Sequence, residues 1–194
     1  MLFCFAALFI AGCGGGGGTI DVTIGGTVAG LSGGDSVVLL DNGTNALTVS
    51  ANGSFSFPTQ IQAGSTYDVT VSTQPSAGTC SVTSGVGLVG ANSGNVTGIL
   101  VNCTLATNYV TGTISGLTAG NTVTLLNNGT DSTTVTQNGP FSFPTPLSVR
   151  TTYNVIVSTQ TLAPAQTCVV TYSTATQPPT VPPSGTTDVQ IKCT

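Results

Sequence analysis

The sequence predicts an all-β protein made of two tandem, seven-stranded antiparallel β-sandwich domains with one disulfide in each. Three observations lead to this prediction. One stretch of the chain occurs twice, short segments throughout alternate apolar with polar residues, and two cysteines recur late in each copy. Alternation with a period of two is typical of strands with one buried face, and no segment keeps a helical period.

The internal repeat is the strongest of these signals. Residues 26–74 align without a gap on residues 112–160, shifted by 86 positions, and 27 of the 49 aligned residues are identical. Self-similarity of this density indicates two copies of one folding unit. We therefore expect one β-sandwich repeat at 19–104 and a second at 110–194, joined by a short linker at 105–109.

Charged side chains are rare in this chain. They make up 4% of its residues, against roughly 25% in an ordinary soluble domain. Arg150 and Lys192 are the two cations, all six anions are aspartates, and there is no His, Glu or Trp. Two cations cannot neutralise a row of phosphates or hold an anionic membrane surface, so we expect no nucleic-acid partner and no electrostatic membrane binding. With 39% hydrophobic residues, the chain is expected to fold.

An apolar run at the N-terminus predicts export. Residues 2–11 form this run, which is too short for a transmembrane helix of ~20 residues but suits the core of a signal peptide. It ends in Ile10-Ala11-Gly12-Cys13, which resembles the lipobox of bacterial lipoproteins. That resemblance implies a signal peptide at 1–12 and attachment of diacylglycerol and palmitate to Cys13. The alternative is a short buried strand or amphipathic segment that ends in Gly-Cys.

The residues on either side of this motif refine the prediction. No Lys or Arg precedes the apolar run, so we expect translation to begin upstream of Met1. Five glycines follow Cys13 at positions 14–18, and they are expected to form a flexible tether that reaches at most ~18 Å. The residue directly after Cys13 is Gly14 and not an Asp, and in this the sequence resembles lipoproteins that are passed on to the outer membrane. The expected location is the bacterial cell envelope, with the outer membrane favoured and the leaflet left open.

Each repeat contains seven segments with strand-like alternation. Tyr67, Val69 and Val71, for example, fall on one face, while Thr and Ser fill most positions of the other. Asn-Gly pairs at 42–43 and 52–53 allow tight reversals because both residues tolerate positive φ. Short strands with one apolar face each are expected to form two packed sheets. The predicted strands are 20–28, 36–40, 46–50, 54–57, 66–72, 79–83 and 95–103 in the first repeat, and 110–115, 122–126, 133–136, 141–143, 152–158, 167–174 and 186–193 in the second.

The first repeat has a recurring order of glycines, aliphatic residues and aromatic residues. The positions are Gly26, Val28, Val37, Leu39, Val49, Gly53, Phe55, Phe57, Gly64, Tyr67, Val69 and Val71. This order resembles the prealbumin-like or Ig-like β-sandwich repeats of carboxypeptidase-regulatory modules and of B-type repeats in Gram-positive collagen adhesins. Most of these are core or turn positions, so the resemblance implies a fold and little about function. The Lys–Asn isopeptide bond of such adhesins is impossible in the first repeat, which has no Lys.

Four of the six cysteines occupy equivalent places near the ends of the repeats. Cys4 lies in the predicted signal peptide and Cys13 in the lipobox, and the other four form an even set. On an exported chain, such a set indicates disulfides. Metal binding is the rival use, but the spacing is not Cys-x-x-Cys and no His is available. The predicted disulfides are Cys80–Cys103 and Cys168–Cys193.

A hairpin between the last two strands of each repeat would bring these cysteines together. A turn near residues 91–92 places Cys80 opposite Cys103 and Val82 opposite Val101. The same reasoning in the second repeat pairs Cys168 with Cys193, Val170 with Ile191 and Tyr172 with Val189. The loop at the tip of that second hairpin, residues 177–184, is rich in proline, and we expect it to be extended and to protrude stiffly.

The residues of most catalytic sites are missing or scattered. Without His or Glu, the Ser-His-Asp and Cys-His arrangements are absent. The six aspartates fall on different turns and strands, and no acidic position recurs in both repeats. Calcium at the Asp41-Asn42 or Asn127/Asp131 turns remains conceivable, but plain turns are the favoured interpretation. The sequence therefore predicts no catalytic residues, no cofactor and no metal site.

Together these features predict a non-enzymatic, lipid-anchored envelope protein that acts as a spacer or adhesion module at the cell surface. Its expected partners are the membrane, through the anchor, and other surface proteins or polysaccharide. A carbohydrate- or peptide-binding lipoprotein is the first alternative, which an exposed Tyr109 or Tyr172 beside a groove would favour. A self-assembling structural subunit is another, because weakly charged strand edges can pair with other chains. The chain could also belong to a larger architecture.

Overall fold

A computed structural model of the protein describes residues 20–161, 163–172, 178–185 and 187–194. All the regular secondary structure in these ranges is β-strand, so the predicted all-β class is confirmed. The predicted signal peptide at 1–12, Cys13 and the glycine tether at 13–18 lie outside the described residues.

The first repeat contains ten strands in two four-stranded sheets and one short pair. The sheet orders are β5-β2-β10-β8 and β4-β3-β7-β9, and β1 pairs with β6. The strands are β1 (Asp21–Val22), β2 (Ile24–Ala29), β3 (Val37–Asp41), β4 (Asn45–Val49), β5 (Gly53–Ser56), β6 (Ile61–Gln62), β7 (Thr66–Thr73), β8 (Gly78–Thr83), β9 (Val86–Leu88) and β10 (Val96–Leu105).

The second repeat contains nine strands and follows the same order. Its sheets are β15-β12-β19-β18 and β14-β13-β17, and β11 pairs with β16. The strands are β11 (Thr107–Asn108), β12 (Thr111–Ser115), β13 (Thr122–Asn127), β14 (Asp131–Val135), β15 (Gly139–Ser142), β16 (Leu147–Ser148), β17 (Val155–Thr161), β18 (Cys168–Tyr172) and β19 (Val189–Cys193).

Alternation along the strands determines which side chains are buried. In β3, Val37, Leu39 and Asp41 are buried, while the residues between them are only partly covered. Inward-facing residues from both four-stranded sheets, such as Leu39 and Ile99, belong to one hydrophobic cluster. A second cluster gathers the inward-facing residues of β12, β13 and β19. The apolar residues at every second position are thus the ones that hold each pair of sheets together.

The prediction of wholly antiparallel sheets was wrong at one pair of strands in each repeat. β2 and β10 are parallel, with Val28 opposite Val101, and β12 and β19 are parallel, with Ile114 opposite Ile191. The last strand of each repeat therefore returns beside the second strand and runs in the same direction. Alternating side chains look the same in either direction, so the sequence pattern carries no information on this point.

The predicted register of the cysteine-bearing strands is confirmed, but the connection between them differs. Cys80 faces Cys103 and Val82 faces Val101. Instead of a simple hairpin, the chain between β8 and β10 crosses to the other sheet, where β9 pairs with β7. Ser84 adopts a φ of 58° at this crossing. In the second repeat, the predicted pairs Cys168–Cys193, Val170–Ile191 and Tyr172–Val189 are also confirmed.

The proline-rich segment of the second repeat does not protrude as expected in the part that is described. Pro179 and Val181 are buried, and Val181 belongs to the hydrophobic cluster of this repeat. Backbone bonds tie the segment to the residues before β17: Val181 N donates to Thr151 O, and Tyr153 N donates to Pro179 O. The segment thus takes the place that β9 has in the first repeat. A buried valine overrides the tendency of prolines to stay at the surface.

The predicted linker at 105–109 is largely β-structure. Leu105 ends β10, and the next strand, β11, pairs with β16 of the second repeat. Ala106, which lies between the two strands, donates its N–H to Ala77 O and accepts from Val149 N. The chain therefore passes from one repeat to the next with its backbone hydrogen bonds satisfied on both sides.

Candidate functional site

The two predicted disulfides are present in the structure. The sulfur atoms are 2.02 Å apart in Cys80–Cys103 and 2.03 Å apart in Cys168–Cys193. Each links two neighbouring strands near the end of its repeat, and all four cysteines are buried. Cys13, the predicted lipidation site, lies outside the described residues.

Among the residues that the structure covers, no three side chains of His, Cys, Asp or Glu lie close enough to hold a metal ion. The same residues include no helix with the length and apolarity needed to cross a membrane.

Arg150 makes a polar contact between the two repeats. Its Nη2 donates to Asp35 Oδ1 at 2.7 Å, and its Nη1 donates to Gly33 O at 2.6 Å and Ser32 Oγ at 3.0 Å. Ser76 Oγ also donates to Asp35 Oδ1, at 2.7 Å. Four residues from two loops of the first repeat thus surround one guanidinium group from the second. We call Ser32, Gly33, Asp35, Ser76 and Arg150 the junction cluster.

Burial and charge both affect Asp35 in the junction cluster. Its side chain is 3% exposed, whereas that of Arg150 is 34% exposed. The hydrogen bond from Ser76, and then the bond and charge of Arg150, lower the pKa of Asp35 below its ordinary value of 3.8, although burial acts in the opposite direction. Asp35 is therefore ionised at neutral pH, and its Oδ1 accepts from both Ser76 and Arg150.

The backbone at Arg150 has an unusual conformation. Arg150 has a φ of 66°, which side chains rarely adopt, and the equivalent residue of the first repeat is Gly64 with a φ of 90°. Arg150 N donates to Val181 O at 2.7 Å, so the proline-rich segment helps to fix this turn. The repeat therefore keeps its turn, and the contact to the first repeat comes from the side chain that replaced the glycine.

Comparison of the two repeats in the sequence picks out both residues of the ion pair, but it does not show that they meet. Gly64 aligns with Arg150, and Asp35 aligns with Asn121, so each charge occurs in only one repeat. Two unmatched opposite charges in a nearly uncharged chain are a signal for a contact between the copies. Asn121 instead bonds within its own repeat, since its Nδ2 donates to Gln166 Oε1 and its Oδ1 accepts from Ala163 N.

A small polar pocket lies at the turn between β13 and β14. It has a volume of about 280 Å³ and is lined by Asn127, Asn128, Thr130, Asp131, Thr145 and Leu147. We call it the turn pocket. Asp131 accepts from Thr145, with Oδ1 3.0 Å from Thr145 Oγ1 and Oδ2 3.4 Å from Thr145 N. The two residues that the sequence named as a conceivable calcium site, Asn127 and Asp131, thus line one cavity.

Asn127 is the most buried polar residue of the turn pocket, with 1% of its surface exposed. Its Oδ1 accepts a long bond of 3.3 Å from Asn154 N. Its Nδ2 meets no acceptor among the described residues. A buried donor without a partner costs about 1–3 kcal/mol, so the amide of Asn127 lowers the stability of this turn.

Asp41 takes the place of Asn127 in the first repeat. It is also 1% exposed, and its Oδ1 accepts from Asp68 N at 3.2 Å. Burial raises the pKa of Asp41 above its ordinary value of 3.8, and the nearby charge of Asp68 adds to the increase, while backbone N–H groups oppose it. The same buried position therefore holds an acceptor in one repeat and an unused donor in the other.

A larger open groove lies along β12, β15 and the residues before β19. It has a volume of about 490 Å³, and its lining includes Pro140, Phe141, Thr187 and Asp188. Thr187 is buried and already bonded to Thr111, since Thr111 N donates to Thr187 Oγ1. Asp188 is exposed and accepts from Gln190 Nε2 at 3.1 Å. These two polar residues of the groove thus have partners within the chain.

The two tyrosines singled out in the sequence differ in their surroundings. Tyr109 is 52% exposed, but it is not among the residues that line the two cavities above. Tyr172 is partly buried, and its hydroxyl accepts from Val155 N at 2.8 Å and donates to Val155 O at 2.9 Å. The hydroxyl of Tyr172 is therefore engaged in the fold, and Tyr109 supplies the more accessible ring.

Comparison with known proteins does not place the chain in a family. No family model matches the sequence, and no curated protein shows significant similarity to it.

Proposed function

We propose that this chain is a non-enzymatic, lipid-anchored protein of the bacterial cell envelope. In this proposal, two β-sandwich domains at 19–104 and 110–194 form a stiff spacer or interaction module. Cys13, after removal of residues 1–12, holds the chain to the membrane, with the outer membrane favoured. The lipobox-like Ile10-Ala11-Gly12-Cys13 and the glycines that follow it support the anchor. The two disulfides support an oxidising compartment, because such bonds rarely persist in the cytosol.

The observation that carries the spacer role is the junction cluster. A freely jointed pair of domains would leave the charged groups of both partners in water. Here Arg150 reaches into the first repeat and bonds to an aspartate that is almost completely buried. Ala77 of the first repeat is also fully buried in the hydrophobic cluster of the second. Polar and apolar contacts on both sides of a very short connection favour a fixed angle between the domains.

The anchor is tested by intact mass spectrometry of the protein made in a bacterium and extracted from its membranes. We expect a chain that begins at Cys13, carries the added mass of diacylglycerol and a fatty acid, and lacks four thiol protons. A Cys13→Ser variant is expected to keep residues 1–12 and gain no lipid. Recovery of an unmodified chain that begins at Met1 or upstream would contradict the anchor.

The stiffness is tested by small-angle X-ray scattering of the wild type and of Arg150→Gly, which introduces the residue of the first repeat. We expect a larger maximum dimension and a broader distance distribution in the variant, because the ion pair and three further hydrogen bonds are lost. Lys192→Ala removes the other cation and serves as the charge-matched control. Identical profiles for all three proteins would contradict the role of the junction cluster.

A self-assembling structural subunit is the second candidate, and the edge strand β9 favours it. Val86 and Leu88 of this strand are 72% and 69% exposed, and β9 pairs with a neighbour on one side only. An exposed apolar edge can add a strand from another chain. Sedimentation velocity tests this candidate: concentration-dependent oligomers that disappear in Leu88→Lys, but not in Asn102→Lys on a central strand, would support it.

A further inference from the structure

The end of the first repeat that follows the glycine tether carries the two most exposed large apolar side chains of the described residues. Val86 and Leu88 are 72% and 69% exposed, and Ile20, where the described chain begins, is 47% exposed. We call these three residues the apolar foot. We propose that the apolar foot contacts the surface of an uncharged lipid bilayer, the one in which the acylated Cys13 is inserted. This inference rests on the lipid anchor proposed above and adds the surface that the first repeat binds.

Backbone hydrogen bonds bring the apolar foot together at one end of the domain. Ala63 N donates to Ile20 O at 2.8 Å, and the N–H of the next residue, Gly64, donates to Val89 O at 2.8 Å. Val89 directly follows Leu88 at the end of β9. Ile20 and the end of β9 therefore lie on either side of one turn, at the end where the chain enters the repeat.

The second repeat shows what covers this end when a domain precedes it. Val149 and Tyr153 are 1% and 2% exposed there, and their hydrophobic cluster includes Ala77 of the first repeat. The equivalent residues of the first repeat, Ala63 and Tyr67, are only partly buried. Within the described residues nothing takes the place of Ala77 at this end of the first repeat, so its surface is open to another apolar partner.

The exposed position at the end of β9 is apolar only in the first repeat. Val181 bonds to the turn of the second repeat as Val89 bonds to the turn of the first, so the residues before them, Thr180 and Leu88, are equivalent. Thr180 is exposed, as Leu88 is, but it is polar. The apolar side chain at this position is therefore confined to the repeat that adjoins the tether.

The length of chain before Ile20 determines which surface the apolar foot meets first. Cys13 and Ile20 are separated by seven residue steps, which span at most ~25 Å. A short flexible link holds a second contact at a high effective concentration, so a weak apolar contact is populated once the anchor is inserted. Aliphatic side chains gain free energy when they leave water for lipid. The bilayer is therefore the partner that the proposed anchor supplies.

Charge limits the type of lipid and the depth of the contact. The first repeat has no Lys or Arg, and the exposed Asp68 lies opposite Val86 on the neighbouring strand. A carboxylate repels anionic headgroups and is costly to move into hydrocarbon. We therefore expect contact with lipids of no net charge, such as phosphatidylcholine. Leu88 should enter more deeply than Val86, which stays near the headgroups beside Asp68.

Pairing between two copies would use the same strand, but β9 is poorly suited to it. The strand has three residues, and its middle residue, Gly87, pairs with Tyr67 of β7. Since backbone groups alternate in direction, only those of Val86 and Leu88 point to the free edge. Short edge strands limit pairing with other chains. Contact with lipid needs no partner strand and uses both exposed side chains.

The test uses tryptophan as a reporter, because the chain has none of its own. The full, lipid-modified protein is made with Leu88→Trp, with Val86→Trp or, as a control in the second repeat, with Val169→Trp, which replaces a 49% exposed residue. Each protein is inserted into phosphatidylcholine vesicles with or without lipid brominated near the headgroup. We expect a blue shift and the loss of most fluorescence for Leu88→Trp, a smaller loss for Val86→Trp, and none for Val169→Trp.

A second set of variants covers the case in which the larger side chain disturbs β9. Ile20→Trp places the reporter in the apolar foot but outside this strand. Adding Val86→Thr/Leu88→Thr removes the apolar surface of β9, and we expect it to reduce the quenching of Ile20→Trp. Adding Leu100→Thr instead removes another exposed leucine of the same repeat and is expected to leave the quenching unchanged.

The outcomes separate the apolar foot from the anchor. If the protein carries lipid and floats with the vesicles, but neither Leu88→Trp nor Ile20→Trp is quenched, the apolar foot is overturned and the anchor stands. If the protein carries no lipid and does not float, both are overturned. If the blue shift of Leu88→Trp grows with protein concentration in detergent and no quenching occurs in vesicles, β9 pairs with another copy, which also overturns the proposal.

Discussion

Gly26 and Gly112 determine how closely β2 can approach β10 and how closely β12 can approach β19. A Cβ atom built on Gly26 would lie 1.9 Å from Ile99 O, and one on Gly112 would lie 2.1 Å from Val189 O. Both obstacles are backbone atoms of a neighbouring strand, which cannot move aside as a flexible side chain can. Glycine at these positions is therefore required by packing and not by backbone conformation.

We predict that Gly26→Ala lowers the free energy of unfolding by about 3 kcal/mol, because the added methyl group forces β2 and β10 apart. Urea unfolding followed by circular dichroism measures the change. Gly98→Ala is the matched control, since a Cβ there meets nothing within 4 Å. Equal stability of the two variants would contradict the packing argument.

Asp35 gives the junction cluster a dependence on pH. Its pKa is lowered in the folded protein by the Ser76 and Arg150 contacts. The stabilisation it provides is therefore complete above the ordinary value of 3.8 and is lost as the pH falls through the lower, folded-state value. Asp41 acts in the opposite sense, because its raised pKa means that acid relieves the cost of a buried charge.

We predict that Asp35→Asn, which introduces the residue of the second repeat, lowers the free energy of unfolding by about 1–2 kcal/mol at neutral pH. The difference from the wild type should shrink as the pH falls below 3.8. Urea titrations of both proteins from neutral to acidic pH measure it, and the contribution of Asp41 cancels in the comparison. A difference that stays constant with pH would show that charge is not the cause.

At the scale of elements, the two disulfides have the same design. Each closes a loop of similar length, with sequence separations of 23 and 25, and each joins directly opposed residues. A disulfide that closes a loop of this length in the unfolded chain raises the free energy of unfolding by about 3 kcal/mol. Because the loops are alike, neither repeat is expected to depend on its disulfide more than the other.

We predict that Cys80→Ser/Cys103→Ser and Cys168→Ser/Cys193→Ser each lower the free energy of unfolding of their own repeat by about 3 kcal/mol. Urea unfolding with and without a reducing agent measures this, and the reductant should leave a variant that lacks both disulfides unchanged. A loss confined to one of the two variants would contradict the equivalence of the repeats.

The sequence allowed good prediction of elements and poorer prediction of their connections. Period-two alternation and matched cysteines led to the strand class and to the register at Cys80–Cys103, because both are local or pairwise signals. The parallel neighbours β2 and β10 and the crossing through β9 depend on which distant strands meet, and that information is spread over the whole repeat. Burial of Val181 could not be foreseen within a segment whose composition favours exposure.

At the scale of the whole molecule, the same limit applies to the candidate sites. The absence of His and Glu could be read directly from the sequence. To predict the junction cluster, one would have had to know which loops face each other. The turn pocket required knowledge of burial, since nothing in the local sequence distinguishes the unpaired amide of Asn127 from the bonded one of Asn121. Both sites depend on how distant residues come together and on which groups are buried, so they were found only in the folded structure.

The parallel pairing of β2 with β10 and of β12 with β19 also determines how the molecule bears tension. A pull between the N-terminal side of the first repeat and its C-terminal side draws β2 and β10 along their common axis in opposite directions. All hydrogen bonds of the pair are then loaded together instead of opening one after another. β12 and β19 have the same geometry in the second repeat.

We predict that stretching single molecules gives two unfolding events of similar force. The gain in contour length of the first repeat should be shorter by about 80 Å in the oxidised than in the reduced protein, because the disulfide withholds 23 residues at ~3.5 Å each. Atomic force spectroscopy in the presence and absence of a reductant measures this difference. In the proposed spacer role, this geometry would resist drag from flowing liquid, and the disulfides would limit how far the chain lengthens when a domain unfolds.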